Sequence, residues 1–340
     1  MKLRISPSAA RAAGFVAFVA KAFLDNAVTA PSTHNGAWLC PLLALLPVLP
    51  WALCADRLRR CGRRRCGPLY AVMLALILLD GAENLSAIAR SAGYLALDRV
   101  PVALLALPVC LALFWCLTKN GDAVGYAAML WTRLAPVLLI LVTALQFRHL
   151  RPDWLRPLLG SGWRAIVSGG VRTAGRALPC LAPLLLADDE AERDGRTLGL
   201  TVLLVLAAAL GALLLTLHLM MTPTPLRPTQ WVNRLDDLLV NGRAPLYTQL
   251  PMISAWYAGL LHLLLCEGFG AAALLQRLFP ALDGRLCSAL AVASIGAAYA
   301  LQGTFGASDA LSPWLYVVAA LITALTALIS LGKGGRRQCA

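Results

Sequence analysis

About ten apolar stretches of membrane-spanning length follow one another along these 340 residues, separated by short polar gaps. A bilayer core of about 30 Å takes about 20 apolar residues to cross as a helix. The stretches lie at 12–28, 37–54, 68–92, 101–117, 123–147, 163–187, 198–221, 250–275, 285–301 and 311–331. Runs such as 70–79 and 201–217 do not alternate polar and apolar residues. That excludes the strands of a closed barrel and leaves helices, the other way to satisfy a backbone in lipid. The expectation is an all-α integral membrane protein of about ten transmembrane helices, forming a single transmembrane domain over 1–340.

The net charge of +13 invites a nucleic-acid partner, but its distribution argues against one. Arg57, Arg59, Arg60, Arg63, Arg64 and Arg65 lie between spans two and three. Lys2, Arg4 and Arg11 precede span one, and Lys333, Arg336 and Arg337 follow span ten. With the N-terminus inside, all three groups fall on the cytoplasmic side, as the positive-inside rule requires. Both termini are therefore expected in the cytoplasm, and the arginine run against the headgroups of the lipid bilayer.

Ten cysteines do not imply disulfides here. Cys40, Cys54, Cys110, Cys116, Cys180, Cys266 and Cys287 lie in or beside apolar runs and read as small hydrophobes. Cys61 and Cys66 flank the arginine run, too few ligands for a metal. There is no P-loop, zinc spacing or serine-hydrolase elbow. Neither an enzyme activity nor a cofactor is expected.

Function must then lie in the polar groups placed inside the lipid. Span one carries Lys21, Asp25, Asn26 and Thr29 and ends at Pro31. Charges at that depth are expensive unless paired or hydrated. Lys21 and Asp25 are four residues apart and can share a helical face. The stretch 24–31 is expected to leave regular helix. Span six carries Ser168, Gly169, Gly170, Arg172, Thr173, Gly175, Arg176 and Pro179 before a clean apolar run. It too reads as a broken helix. Spans one and six open two halves of five, 12–147 and 163–331. Discontinuous helices 1 and 6 point to two inverted five-helix repeats with a midplane site.

In span three, Asp80, Glu83 and Asn84 share one helical face by their i, i+3, i+4 spacing. Two readings stay open: a ligand- or proton-facing stripe, or an interhelical contact with Arg133 or Lys21. Arg133 and Glu267 are each either a buried partner or a snorkelling residue. His218 and His262 each read as a satisfied interior or interfacial histidine rather than a ligand.

Specific segments resemble a known family. Asn120–Tyr126 followed by Arg133-Leu-Ala-Pro136 looks like the "K-G-x-x-x-x-x-R-x-x-E-x-x-x-P" region of endospore germinant-receptor B subunits. The run from Leu150 to Gly160 resembles that family's "p-d-x-x-N-L-x-P-l-l-g", and 177–186, with Pro183, its "l-l-P-f-l". Asn26–Pro31 stands where the family has a "G-x-L-x-L-P" break. Gly175-Arg176 stands where it has "G-E", which reverses a charge.

The resemblance implies an amino acid/polyamine permease fold and a spore germination receptor. Its ligand would be a small nutrient, an amino acid, bound at the midplane. Its partners would be the A and C subunits in the spore inner membrane. On this reading the backbone at Asn26, Ala27, Val28 and Thr29 and at Thr173, Ala174 and Gly175 cradles the ligand. Asp80 and Glu83 tune charge, and Asp25 and Arg176 set selectivity. The alternative is a secondary transporter of the same fold, moving an amino acid or related solute with a cation. A third reading is a non-transporting membrane scaffold.

Overall fold

The computed structural model describes residues 3–28, 34–58, 63–96, 100–119, 121–146, 152–160, 162–186, 196–221 and 246–305, with Val317, Leu321 and Ala324 beyond them. Within these residues the chain is helical and holds no strand. The helices are α1 (Pro7–Val28), α2 (Cys40–Leu58), α3 (Arg63–Ala96), α4 (Val102–Leu117), α5 (Gly121–Gln146), α6 (Trp163–Cys180), α7 (Ala182–Leu186), α8 (Arg196–Met221), α9 (Leu246–Leu278) and α10 (Gly284–Phe305). Short 3-10 turns at His34–Leu39 and Pro152–Leu155 lie between them. Six helices contain a stretch long and apolar enough to cross a membrane. The chain is a multi-pass membrane protein. Nine of the ten expected spans coincide with described helices; the tenth, 311–331, lies outside the described residues except at three positions.

Local chemistry explains where several helices begin. The Ser6 hydroxyl accepts the Ala9 N–H at 3.2 Å, capping α1, while Pro7 takes the first helical position, where no N–H is needed. The Asp283 carboxylate accepts the Arg285 N–H at 3.1 Å at the start of α10. Sidedness follows from which faces are apolar. On α4, Leu104, Leu107, Leu111 and Trp115 are exposed at helical spacing and form a lipid-facing stripe. In contrast, α6 from Thr173 to Cys180 is buried on every side. Most of α9 beyond Tyr257 is buried too. These are the central helices.

The packing repeats with a period of five spans. α1 packs on α8, the seventh span, and α6, the sixth, packs on α2. Exchanging the two halves turns one contact into the other. α3 packs on α9 and is its own image; α3 on α4 matches α9 on α10. Small residues let these pairs approach, since lipid supplies no hydrophobic drive between helices. A Cβ on Gly170 of α6 would stand 2.6 Å from the Leu43 Cβ of α2. One on Gly211 of α8 would stand 3.3 Å from the Ala22 Cβ of α1.

The expected breaks fall differently. α6 runs unbroken through Gly169, Gly170 and Gly175, and Gly170 serves close packing against Leu43 of α2 rather than unwinding. The interruption comes at Leu181, a single turn residue after Pro179 and Cys180, before α7 starts. α1 is regular helix as far as Val28, so 24–28 do not unwind. Thr29 and Pro31 lie outside the described residues.

Candidate functional site

Four helices meet at a buried polar cluster. α1 brings Lys21, α3 brings Asp80 and Asn84, α6 brings Cys180, and α9 brings Glu267; all five are buried. The Lys21 ammonium donates to Asp80 Oδ1 at 3.0 Å and to Asn84 Oδ1 at 3.1 Å. The Asn84 amide donates to Glu267 Oε1 at 2.7 Å. The Cys180 thiol donates to the same oxygen at 3.1 Å and lies 3.5 Å from Asp80 Oδ2. One chain of contacts thus ties α1 to α3, α3 to α9 and α9 to α6.

Local sequence sets this geometry. Asp80 and Asn84 are one helical turn apart, so both reach the same lysine. Cys180 ends α6, where the helix stops at Leu181. Gly81 lies against both α9 and α10: a Cβ there would stand 3.3 Å from Ile295 Cδ1 and 3.4 Å from Glu267 Oε2. That oxygen has no hydrogen-bond partner among the described residues. The cluster sets two carboxylates against one ammonium. Buried charge is tolerated when it is paired and hydrogen-bonded.

Beside this cluster Arg176 of α6 pairs with Glu83 of α3 at 3.3 Å. The Glu83 side chain is 24% exposed, so the pair borders a more open region. Replacing Arg176 by alanine leaves a carboxylate that can still hydrate. The expected loss of stability is about 1 kcal/mol, measured as the shift in unfolding midpoint.

Of the candidates named from sequence, Asp80 sits in the central cluster and Glu83 with Arg176 beside it. The Thr173 hydroxyl donates to the Gly169 carbonyl at 2.9 Å. Ala174 and Gly175 are buried inside regular helix, so their backbone groups serve the helix itself. Asp25, Asn26, Ala27 and Val28 continue α1, and Thr29 falls outside the described residues. Arg133 is exposed and takes no part; Lys21 is the partner of Asp80. Glu267 is a buried partner rather than a snorkelling residue. His262 is interior, its Nε2 3.3 Å from the Ala13 carbonyl.

Cys180 is the residue that sequence reasoning passed over, reading it as a small hydrophobe. The available signal was its place just after Pro179, at the end of a polar-rich helix half.

The chain matches no sequence-family model and no curated protein. Its likeness is to solved transporter structures. One is Mhp1, a nucleobase-cation-symport-1 family transporter, in a closed conformation with bromovinylhydantoin bound. The TM-score is 0.59 at 12% identity, over 96% of this chain and 78% of that one. Another is the Eremococcus coleocola manganese transporter in complex with an aromatic bis-isothiourea substituted compound. There the TM-score is 0.53 at 12% identity, over 96% of this chain and 76% of that one. At such identity the likeness concerns the fold. The chain has the all-helical, inverted-repeat fold of these transporters, in keeping with the five-span exchange in its packing.

Proposed function

We propose that the protein is a secondary transporter that moves a small solute across the membrane with a coupled cation. The observation that carries this reading is the Lys21–Asp80–Asn84–Glu267 network at the meeting point of spans one, three and eight. Ionisable groups enclosed in a membrane bundle are retained at a cost and mark solute or ion pathways. The fold adds support, since the similar structures are transporters, one of them a cation symporter by its name.

The buried Arg176 and the partly exposed Glu83, opposite charges, suit the two ends of a zwitterion such as an amino acid. Asp25 and the end of α1 would complete the path.

The test is uptake of labelled amino acids and other small solutes into proteoliposomes under imposed ion gradients. Uptake above empty vesicles, collapsed by an ionophore and reduced at least tenfold in Glu267→Gln, is expected. Absence of gradient-driven uptake across the panel, from protein shown to be folded, would overturn the reading.

A second reading is favoured by the motif resemblance in 121–183: a germinant-receptor B subunit. It would bind a nutrient amino acid and signal to A and C partner subunits without moving solute. Ligand-induced thermal stabilisation without flux would select it.

A further inference from the structure

Three of the buried side chains form a donor set of a different kind from the ion pair. Asp80, Cys180 and Glu267 each present one ligand atom, and those atoms lie within 4.8 Å of one another. They come from three separate helices, α3, α6 and α9. We propose that these residues bind a thiophilic divalent cation of zinc's kind.

Geometry supports this first. A tetrahedral site with a metal–sulfur bond of about 2.3 Å and metal–oxygen bonds of about 2.1 Å separates sulfur from oxygen by about 3.6 Å. The Cys180 sulfur lies 3.1 Å from Glu267 Oε1 and 3.5 Å from Asp80 Oδ2. A metal ion entering between them would need only small shifts.

The second support is the orphaned oxygen. Glu267 is fully enclosed, and its Oε2 has no hydrogen-bond partner among the described residues. It faces α3 at Gly81, beside Asp80. A buried acceptor left unmade is expensive, and a cation held by both oxygens of the Glu267 carboxylate would satisfy it.

Charge is the third. Metal binding replaces the Cys180 thiol proton and the proton held between the two carboxylates, and both are released to solvent. Two carboxylates and a thiolate against Lys21 and a divalent cation then sum to zero. Neutrality is what a low-dielectric interior favours.

The ligand mixture sets the class of metal. A thiolate selects soft ions, whereas an all-oxygen site suits magnesium, calcium or manganese. Lys21 does not compete for the same atoms, because it holds Asp80 through Oδ1 while Oδ2 faces Cys180. The polar partners of the ligands are already in place: Lys21 on Asp80 and Asn84 on Glu267. Such outer contacts orient metal ligands and strengthen binding.

The experiment is titration of the purified, detergent-solubilised full chain with Cd2+ as probe. Binding is followed by thiolate-to-cadmium charge-transfer absorption and by calorimetry. Wild type is expected to bind one ion with a charge-transfer band. Cys180→Ser should lose that band. Glu267→Gln, nearly isosteric and with every thiol retained, should weaken binding at least tenfold. A wild type without the band overturns the proposal, as does equal affinity in wild type and Glu267→Gln. If Cys180→Ser fails to fold, the glutamine variant still decides. Binding is read without solute flux, so the outcome stands apart from that of the transport test.

Discussion

Lys21→Met unfolds at a much lower midpoint than wild type, with an expected loss of about 3–5 kcal/mol, the range for removing one partner of a buried ion pair. The methionine keeps the length of the side chain but not its charge. Asp80, fully enclosed, then loses the ammonium 3.0 Å away. Asn84 also loses the donor at its Oδ1. Adding Asp80→Asn should restore most of the loss, because an uncharged pair is far less costly to bury than a lone carboxylate. The measurement is a double-mutant cycle on unfolding of the purified protein. If Lys21→Met stays within 1 kcal/mol of wild type, the pair is not desolvated in the folded bundle, and the site description fails with it.

The second large effect is steric. Gly121 begins α5 under the segment that leads into α1, and its N–H donates to the Arg4 carbonyl at 3.0 Å. A Cβ there would run into that carbonyl and stand 2.7 Å from the Ile5 Cβ and 2.9 Å from the Ile5 Cα. These are largely backbone atoms, which cannot swing aside as the end of a flexible side chain does. Gly121→Ala is therefore expected to lose about 3 kcal/mol, the upper range for overpacking. Gly67 in α3 is the control, since nothing lies within 4 Å of its absent Cβ. Gly67→Ala should be neutral or stabilising by up to about 1 kcal/mol. Equal midpoints for the two variants would sink the argument from close approach.

Several site residues were legible before any coordinates, because burial of charge in lipid is a property of one residue and its depth. Lys21, Asp80, Asn84 and Glu267 each stood out in an apolar run. Lys21 as the partner of Asp80 was one of the open alternatives. Cys180 was not legible. A thiol in an apolar run has the composition of a core residue, and it lies 100 positions from Asp80 and 87 from Glu267. The span-six glycines misled for a related reason. Glycine both weakens a helix and lets a neighbour come close, and Leu43 on another helix decides which effect operates at Gly170.

The sequence by itself determined that the chain is helical and crosses the membrane, because the length and apolarity of each span must satisfy the bilayer without help from any partner. It also pointed to a five-span period, through the polar residues of spans one and six, although the described helices do not break at those residues. Tertiary structure alone decided which charges meet, where α6 stops, and that a thiol and two carboxylates converge between three helices. Those outcomes depend on distances between segments far apart in the chain, and no local pattern of residues encodes a distance.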